Sequence, residues 1–190
     1  MLITKPYHRE RAVEYAKTWA LRRNPLFVDF TGIGGNCTNF ASQALLAGSC
    51  VMNYTPDFGW YYVSPEDRAP AWSSVDYFFD FLTGTPAFAE QNGGIGPFGK
   101  VVSREEAEPG DLIQFANSMG EWYHTVVITG MDGEDIFVSA QTNDALDRPL
   151  SSYNFTDARY LHVEGVRIGI DDRRCYEILL AGGVLPTENE

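Results

Sequence analysis

The sequence predicts an α+β fold in which N-terminal helices pack on a C-terminal antiparallel sheet. Three observations carry that prediction. Apolar residues in the first half recur at three- and four-residue spacings, the stretch after Pro109-Gly110 breaks into short β-branched and aromatic runs, and Asp132-Gly133 separates two such runs as a hairpin turn. Helices followed by strands, rather than alternating with them, point to segregated layers and against a parallel βαβ array.

Ala12, Val13, Ala16, Trp19 and Ala20 form the apolar stripe of a first helix over residues 9–23. Asn24-Pro25 ends it, because proline disfavours the helical conformation in the residue before it. Residues 27–30 read as a short extended piece running into the glycine-rich turn 31–36. A second helix starts at Cys37, with Phe40, Ala41, Ala44 and Leu45 on its apolar face and Gly48 as its stop. Residues 51–70, aromatic and turn-rich, read as a long ordered loop. Ser73 and Asp76 make a capping pattern for a third helix carrying Val75, Phe78, Phe81 and Leu82, which Gly84 and Pro86 end. Residues 86–99 are broken by glycine and proline and read as a loop bordering a cleft. Strands are expected at 112–115, 122–129, 135–141 and 160–168.

With 190 residues, 44% of them hydrophobic, the chain can bury a substantial core, and a single domain over residues 1–190 is expected. Its 26 acidic and 14 basic residues leave a net charge of -12 with no basic stretch. Such a surface repels phosphate backbones and anionic lipid, so nucleic acid and membrane are not expected as partners. An acidic, soluble protein of bacterial type is the simplest reading. Cys37, Cys50 and Cys175 are too few and too odd in number for a disulfide framework. The N-terminus lacks the apolar centre of a signal peptide, and no apolar run approaches the roughly eighteen residues of a membrane span, so the cytoplasm is favoured.

The chemistry centres on Cys37. A thiol reacts as thiolate, and a helix N-terminus favours that charge. Glycines 32, 34 and 35 let the chain turn sharply and let a substrate backbone approach, while the Cys37 N–H, with Asn36 or Asn39, would supply an oxyanion hole. Cys50 and Cys175 lack this setting and read as packing residues. A cysteine nucleophile needs a base, and three histidines are available. His8 lies at the edge of the first helix and His162 reads as a structural strand residue, which leaves His124 at the start of a strand. The hairpin sets its partner: a two-residue loop at 132–133 places Gln141 opposite His124, and a four-residue loop at 132–135 places Asn143 there. Cross-strand Cβ atoms are about 4.5–5.5 Å apart, so either amide would orient the imidazole.

These residues, taken together, resemble a known family: the amidase domains of the papain-like superfamily, relatives of the CHAP and NlpC-type cell-wall hydrolases. The likeness spans about residues 6–165, with a C-terminal strand and tail beyond it. It rests on Tyr7 through Ala16, Trp19 and Asn24-Pro25, then on Gly34-Gly35-Asn36-Cys37-Thr38-Asn39-Phe40-Ala41-Ser42-Gln43. Ala47-Gly48, Trp60-Tyr61-Tyr62 and Trp72 follow, then Pro109 through Phe115, His124 through Thr129, Gln141-Thr142 and Arg148-Pro149-Leu150. The resemblance implies a papain-like fold with Cys37 on a helix packed against a sheet that carries His124, and a third polar residue on the next strand. The family pattern has Asp where this chain has Asn36, and His where it has Gln141.

Two functions compete. In a cysteine amidase or peptidase, Cys37 attacks an amide carbonyl, His124 moves the proton and Gln141 or Asn143 orients it. In a catalytically silent binding module, Trp60, Tyr61, Trp72 and Trp122 hold a peptide or glycan in the retained cleft. Either takes an amide- or peptide-containing ligand, peptidoglycan being one candidate. No cofactor and no metal is expected, since the histidines lack H-E-x-x-H spacing, Asp132 through Asp135 is too short for a calcium loop and Gly32–Gly35 lacks the lysine of a phosphate loop.

Overall fold

The computed structural model of the chain describes residues 1–169 and 180–182. Its elements run β1 (Leu2–Lys5), α1 (Arg9–Trp19), α2 (Cys37–Ser49), α3 (Pro70–Ser73), α4 (Val75–Thr83), α5 (Pro86–Asn92), β2 (Gly96–Val102), β3 (Leu112–Ala116), β4 (Trp122–Met131), β5 (Ile136–Ala140), β6 (Ala145–Pro149) and β7 (Asp157–Gly169). The class is α+β, as expected. The strands form one sheet, every pairing antiparallel, in the order β1-β7-β3-β4-β5-β6 with β2 also on β7. Leu161 of β7 pairs with Leu112 of β3 and with Val101 of β2, while Val166 pairs with Lys5 of β1 and Pro97 of β2. Strands β1 and β3 therefore lie end to end along one edge of β7, with β2 along the other.

Alternation along these strands sends side chains to two different cores. Leu112, Val127, Leu161 and Val163 face the helices, where they meet Ala16, Phe40, Ala44, Leu45, Trp60, Trp72, Phe78 and Leu82. Ile113, Phe115, Val126, Ile128, Ile136, Val138 and Ala140 face the other way, onto Leu150, Tyr153 and Phe155. We call these the helical face and the far face. Helix α2 runs through the middle of the helical layer and is buried on nearly every side. Helix α1 buries Ala12 and Ala16 fully and packs Tyr15 and Trp19 against the same core. Helix α4 opens on Ser74, whose hydroxyl accepts from the Tyr77 N–H, and closes on Gly84 at φ +63°.

Several expectations are corrected. Helix α1 stops at Trp19, with Ala20 at its C-cap. Residues 27–30 form no strand; the Val28 N–H and C=O are taken instead by the Tyr62 hydroxyl and the Asn39 amide. Gly48 does not end α2. It lies inside the helix, where a Cβ would stand 2.3 Å from the Tyr7 ring, and the stop is Cys50, exposed and left-handed at φ 52° rather than packed in the core. Residues 86–99 hold α5 and most of β2 rather than a loop. Pro86 serves as a helix-starting residue, and Gly99 sits where a Cβ would collide with the His162 carbonyl. Strands β1 and β6 were not expected. The reading of Cys175 as a packing residue, and the tail from 170 apart from 180–182, lie outside the described residues.

A buried carboxylate locks the layers together. Asp111, fully buried, accepts from Arg9 of α1, from His162 Nδ1 at 2.9 Å and from the N–H groups of Glu108 and Val163. His162 thus ties β7 to the start of β3. His8, exposed, donates its backbone N–H to Gly48 at the C-terminal end of α2.

Candidate active site

Cys37 occupies the first turn of α2, as its position after three glycines suggests. Gly34 and Gly35 both take φ +103°, a conformation that L side chains rarely adopt, and this aims the chain into the helix. Cys37 is 8% exposed. Its polar neighbour is the Thr38 hydroxyl at 3.8 Å, which in turn is 3.0 Å from the Thr125 hydroxyl on β4. The strand residue that meets this end of α2 is therefore Thr125.

His124 lies on the other side of the sheet. It pairs with Phe115, and cross-strand partners share a face. Its ring stands 5.8 Å from that of Phe115 and 6.5 Å from that of Tyr153, both in the far-face core. Burial lowers its pKa from 6.5 to about 4, with the Arg148 charge adding to the effect, so it is neutral at pH 7. Thr125 and Val127 point to the helices, and Val126 and Ile128 share the side of His124. A bulge opposite Phe115 and Ala116 skips Tyr123, so Trp122 returns to the helical face beside Arg159. The structure does not bring Cys37 and His124 together. His8 and His162 offer no substitute: His8 adjoins the C-terminal end of α2, about 16 Å of helix from Cys37, and His162 is held by Asp111.

The hairpin takes the four-residue alternative, but neither expected partner of His124 follows from it. Met131 pairs with Ile136, which makes 132–135 a four-residue loop, with Asp132 Oδ1 accepting from the N–H groups of Glu134 and Asp135. A bulge at Thr129 then shifts the ladder by one residue, and β5 ends at Ala140. Neither Gln141 nor Asn143 faces His124. Gln141 is buried, its Oε1 accepting from Asn36 Nδ2 and its Nε2 donating to the carbonyls of Trp19 at 2.8 Å and Arg22 at 2.9 Å. Asn143 is exposed at a turn in which Thr142 and Asn143 both take φ 61°.

The two asparagines expected at an oxyanion hole are committed elsewhere. Asn36 Oδ1 accepts from Phe30 N and from Asn39 Nδ2, and its Nδ2 donates to Gln141. Asn39 Nδ2 donates to Val28 O as well, and Asn39 Oδ1 accepts from Trp72 Nε1 at 2.8 Å. Both side chains pin the glycine turn and the aromatic layer to α2, which leaves the main-chain N–H groups of its first turn as the candidate oxyanion donors.

Two of the four proposed ligand-binding aromatics are core. Trp60 and Trp72 are 0% exposed, 5.0 Å apart by ring centroids, and their indole N–H groups are satisfied by Ser42 and Asn39. No ligand reaches them without unfolding the layer. Tyr61 is half-buried against Tyr54, and Trp122 is half-buried with the Arg159 guanidinium 4.1 Å from its ring. The sequence reading missed Thr38, Thr125, Gln114 and Arg159. A signal was present for Gln114, the one polar residue in the buried strand Leu112–Ala116. Among the described residues, no group of three or more His, Cys, Asp or Glu side chains is arranged to hold a metal ion.

No solved structure matches the chain. "Uncharacterized protein YhbB" of Bacillus subtilis (strain 168) is 32% identical over 143 residues, covering 73% of this chain and 42% of that protein, so the chain spans under half the length of this relative. A family model described as "Putative amidase domain" matches residues 6–163, a span that holds Cys37, the glycine turn, β4 and Gln141, and the chain belongs to that family.

Proposed function

We propose that this chain is an amide-recognising domain of the amidase family in which Cys37 is the working group and no histidine serves as its base. The observation that carries the reading is the placement of His124 on the far face of the sheet, with Thr125 opposite the start of α2. A second observation supports it. The two positions at which the chain departs from the pattern it resembles, Asn36 and Gln141, are hydrogen-bonded to each other at the N-cap of α2. An acid–base pair in the pattern is here a pair of neutral amides, which keeps the hydrogen bond and removes the titratable groups.

A thiol without a base can hold an amide-bearing ligand against the N–H groups of the first turn of α2, but it cannot deliver a proton to a leaving amine. Binding without turnover is the consequence. The test compares hydrolysis of a panel of peptide amides and muropeptides by the wild type and by Cys37→Ala and His124→Ala. The expected result is no Cys37-dependent turnover, with ligand bound by the wild type and more weakly by Cys37→Ala. Hydrolysis lost in both variants would overturn the reading and restore the Cys37–His124 dyad. The double variant Asn36→Asp, Gln141→His, which returns the pair to its titratable form, is expected to gain Cys37-dependent hydrolysis.

A further inference from the structure

The geometry points to a polarised hydrogen-bond relay across the helical face that starts at the Arg159 guanidinium and ends on the Cys37 sulfur, making Arg159, Gln114, Thr125 and Thr38 positioning residues for that thiol. This rests on the reading that Cys37 is the working group of the site. Arg159 Nε donates to Gln114 Oε1 at 2.8 Å, Gln114 Nε2 donates to Thr125 Oγ1 at 3.2 Å, Thr125 and Thr38 hydroxyls are 3.0 Å apart, and Thr38 Oγ1 is 3.8 Å from Cys37 Sγ.

The direction of the first two links follows from chemistry. A guanidinium has donors only, so the Gln114 atom facing it is the carbonyl oxygen. The Gln114 nitrogen also donates to the Val75 carbonyl at 2.9 Å, which fixes the amide orientation a second time. Thr125 Oγ1 accepts from that nitrogen; either atom can donate in the Thr125–Thr38 and Thr38–Cys37 pairs, and the relay is the arrangement in which the Thr125 hydrogen goes to Thr38 and the Thr38 hydrogen to the sulfur. In that arrangement each link aims a donor toward Cys37, and hydrogen bonds in such a chain polarise one another.

The source of the polarisation is unusually placed. The Arg159 guanidinium lies between the Phe79 ring at 3.6 Å and the Trp122 ring at 4.1 Å, its side chain 14% exposed. Its Nη2 is buried without a hydrogen-bond partner, the Asp76 carboxylate standing 3.9 Å away and largely in solvent. Burial lowers its pKa to about 10, opposed by Asp76 and Asp80, which leaves it charged at neutral pH. A buried charge without a close carboxylate is costly, and the aromatic sandwich and the Gln114 amide offset only part of that cost. The relay gives the charge a place to act. A sulfur that receives a hydrogen bond is favoured in its electron-rich form, which lets a thiol react where no imidazole reaches it.

The test uses the full chain and an internal reference. Cys50 is exposed on the same molecule, so the ratio of Cys37 to Cys50 alkylation by iodoacetamide, read by peptide mass spectrometry at pH 7, cancels reagent and concentration effects. Thr125→Val, close in shape, breaks the relay and is expected to lower the ratio on the order of tenfold, one hydrogen bond's worth. Thr125→Ser is expected to restore it. Gln114→Glu keeps size and the Arg159 contact but cannot donate to Thr125, and it should lower the ratio as Thr125→Val does. A ratio within twofold of wild type in both Thr125→Val and Gln114→Glu, with folding verified by circular dichroism, would overturn the relay. So would a Thr125→Ser variant that folds but labels like Thr125→Val. Alkylation is independent of turnover and of His124, so the relay and the proposed function fail separately.

Discussion

Thr125 and His124 are neighbours in one strand, yet they live in different proteins as far as chemistry is concerned. Thr125 faces neutral polar groups, the Thr38 hydroxyl of α2 and the Gln114 amide of β3. His124 faces Phe115 and Tyr153, where burial keeps it uncharged. Strand periodicity turns one residue of register into a change of face, so a single bulge at Tyr123 or Thr129 decides which chemistry meets the thiol. Proximity in sequence says little here; parity says nearly everything.

The comparison breaks most visibly if the helical face is hollowed. Trp72 stacks on Phe27 and packs on Trp60 and Tyr62, and it holds Asn39 through its indole N–H. Trp72→Ala removes a fully buried side chain and orphans Asn39 Oδ1, and about 3–5 kcal/mol of stability should be lost in chemical denaturation. A loss under about 1 kcal/mol would mean that the indole is a ligand platform after all.

The far face gives a prediction in pH. His124 has a folded pKa of about 4 against 6.5 when unfolded, so the folded state binds fewer protons between those values. Its neutral burial contributes stability in full above pH 6.5, and that contribution drains away as pH falls toward 4. By pH 4.5 the expected loss attributable to His124 is about 2 kcal/mol, obtained by comparing denaturation of the wild type and His124→Phe at pH 7 and 4.5. Equal pH dependence in the two proteins would place the imidazole in solvent or beside the thiol.

How much of this was legible in the sequence depends on which interactions decide each feature. The helices α2 and α4 and the strands β3, β4, β5 and β7 announce themselves because their apolar spacing is local. Strand β1 does not, since Leu2–Lys5 alternates weakly and is a strand only because β7 offers it an edge. Cys37 and its glycine turn were also legible, being defined by adjacent residues. The base was not. Its identity hangs on two bulges and on a ladder that ends one residue before Gln141, and no hydrophobic pattern encodes a bulge whose flanking residues are apolar on both faces.

Gln141 lets the polarity of the helical face be tested with the opposite sign. Its Nε2 serves two carbonyls, those of Trp19 and Arg22. Gln141→Glu puts a carboxyl oxygen against both, so the charged form is disfavoured and the folded carboxyl is protonated more readily than the unfolded one. That variant should be about 1–3 kcal/mol less stable than wild type at pH 7 and should recover as pH falls toward 5. His124 drives stability the other way over the same range. If Gln141→Glu is no less stable at pH 7, the Gln141 amide is not committed to these carbonyls and is free to serve the thiol.

The smallest expected effect concerns the rim. Asn143 is exposed and left-handed at φ 61°, a conformation that asparagine tolerates and glycine prefers. Asn143→Gly trades slight strain for a more flexible unfolded chain, and stability should move by less than about 0.5 kcal/mol. Its preceding neighbour differs: Thr142 is β-branched at the same φ and is held there by its hydroxyl, which accepts from the Asn36 N–H. The strain therefore sits on the residue that touches the site, and relief at Asn143 should leave Cys37 alkylation unchanged. A change in labelling with Asn143→Gly would extend the site outward to this turn and return to Asn143 the role that its sequence spacing suggested.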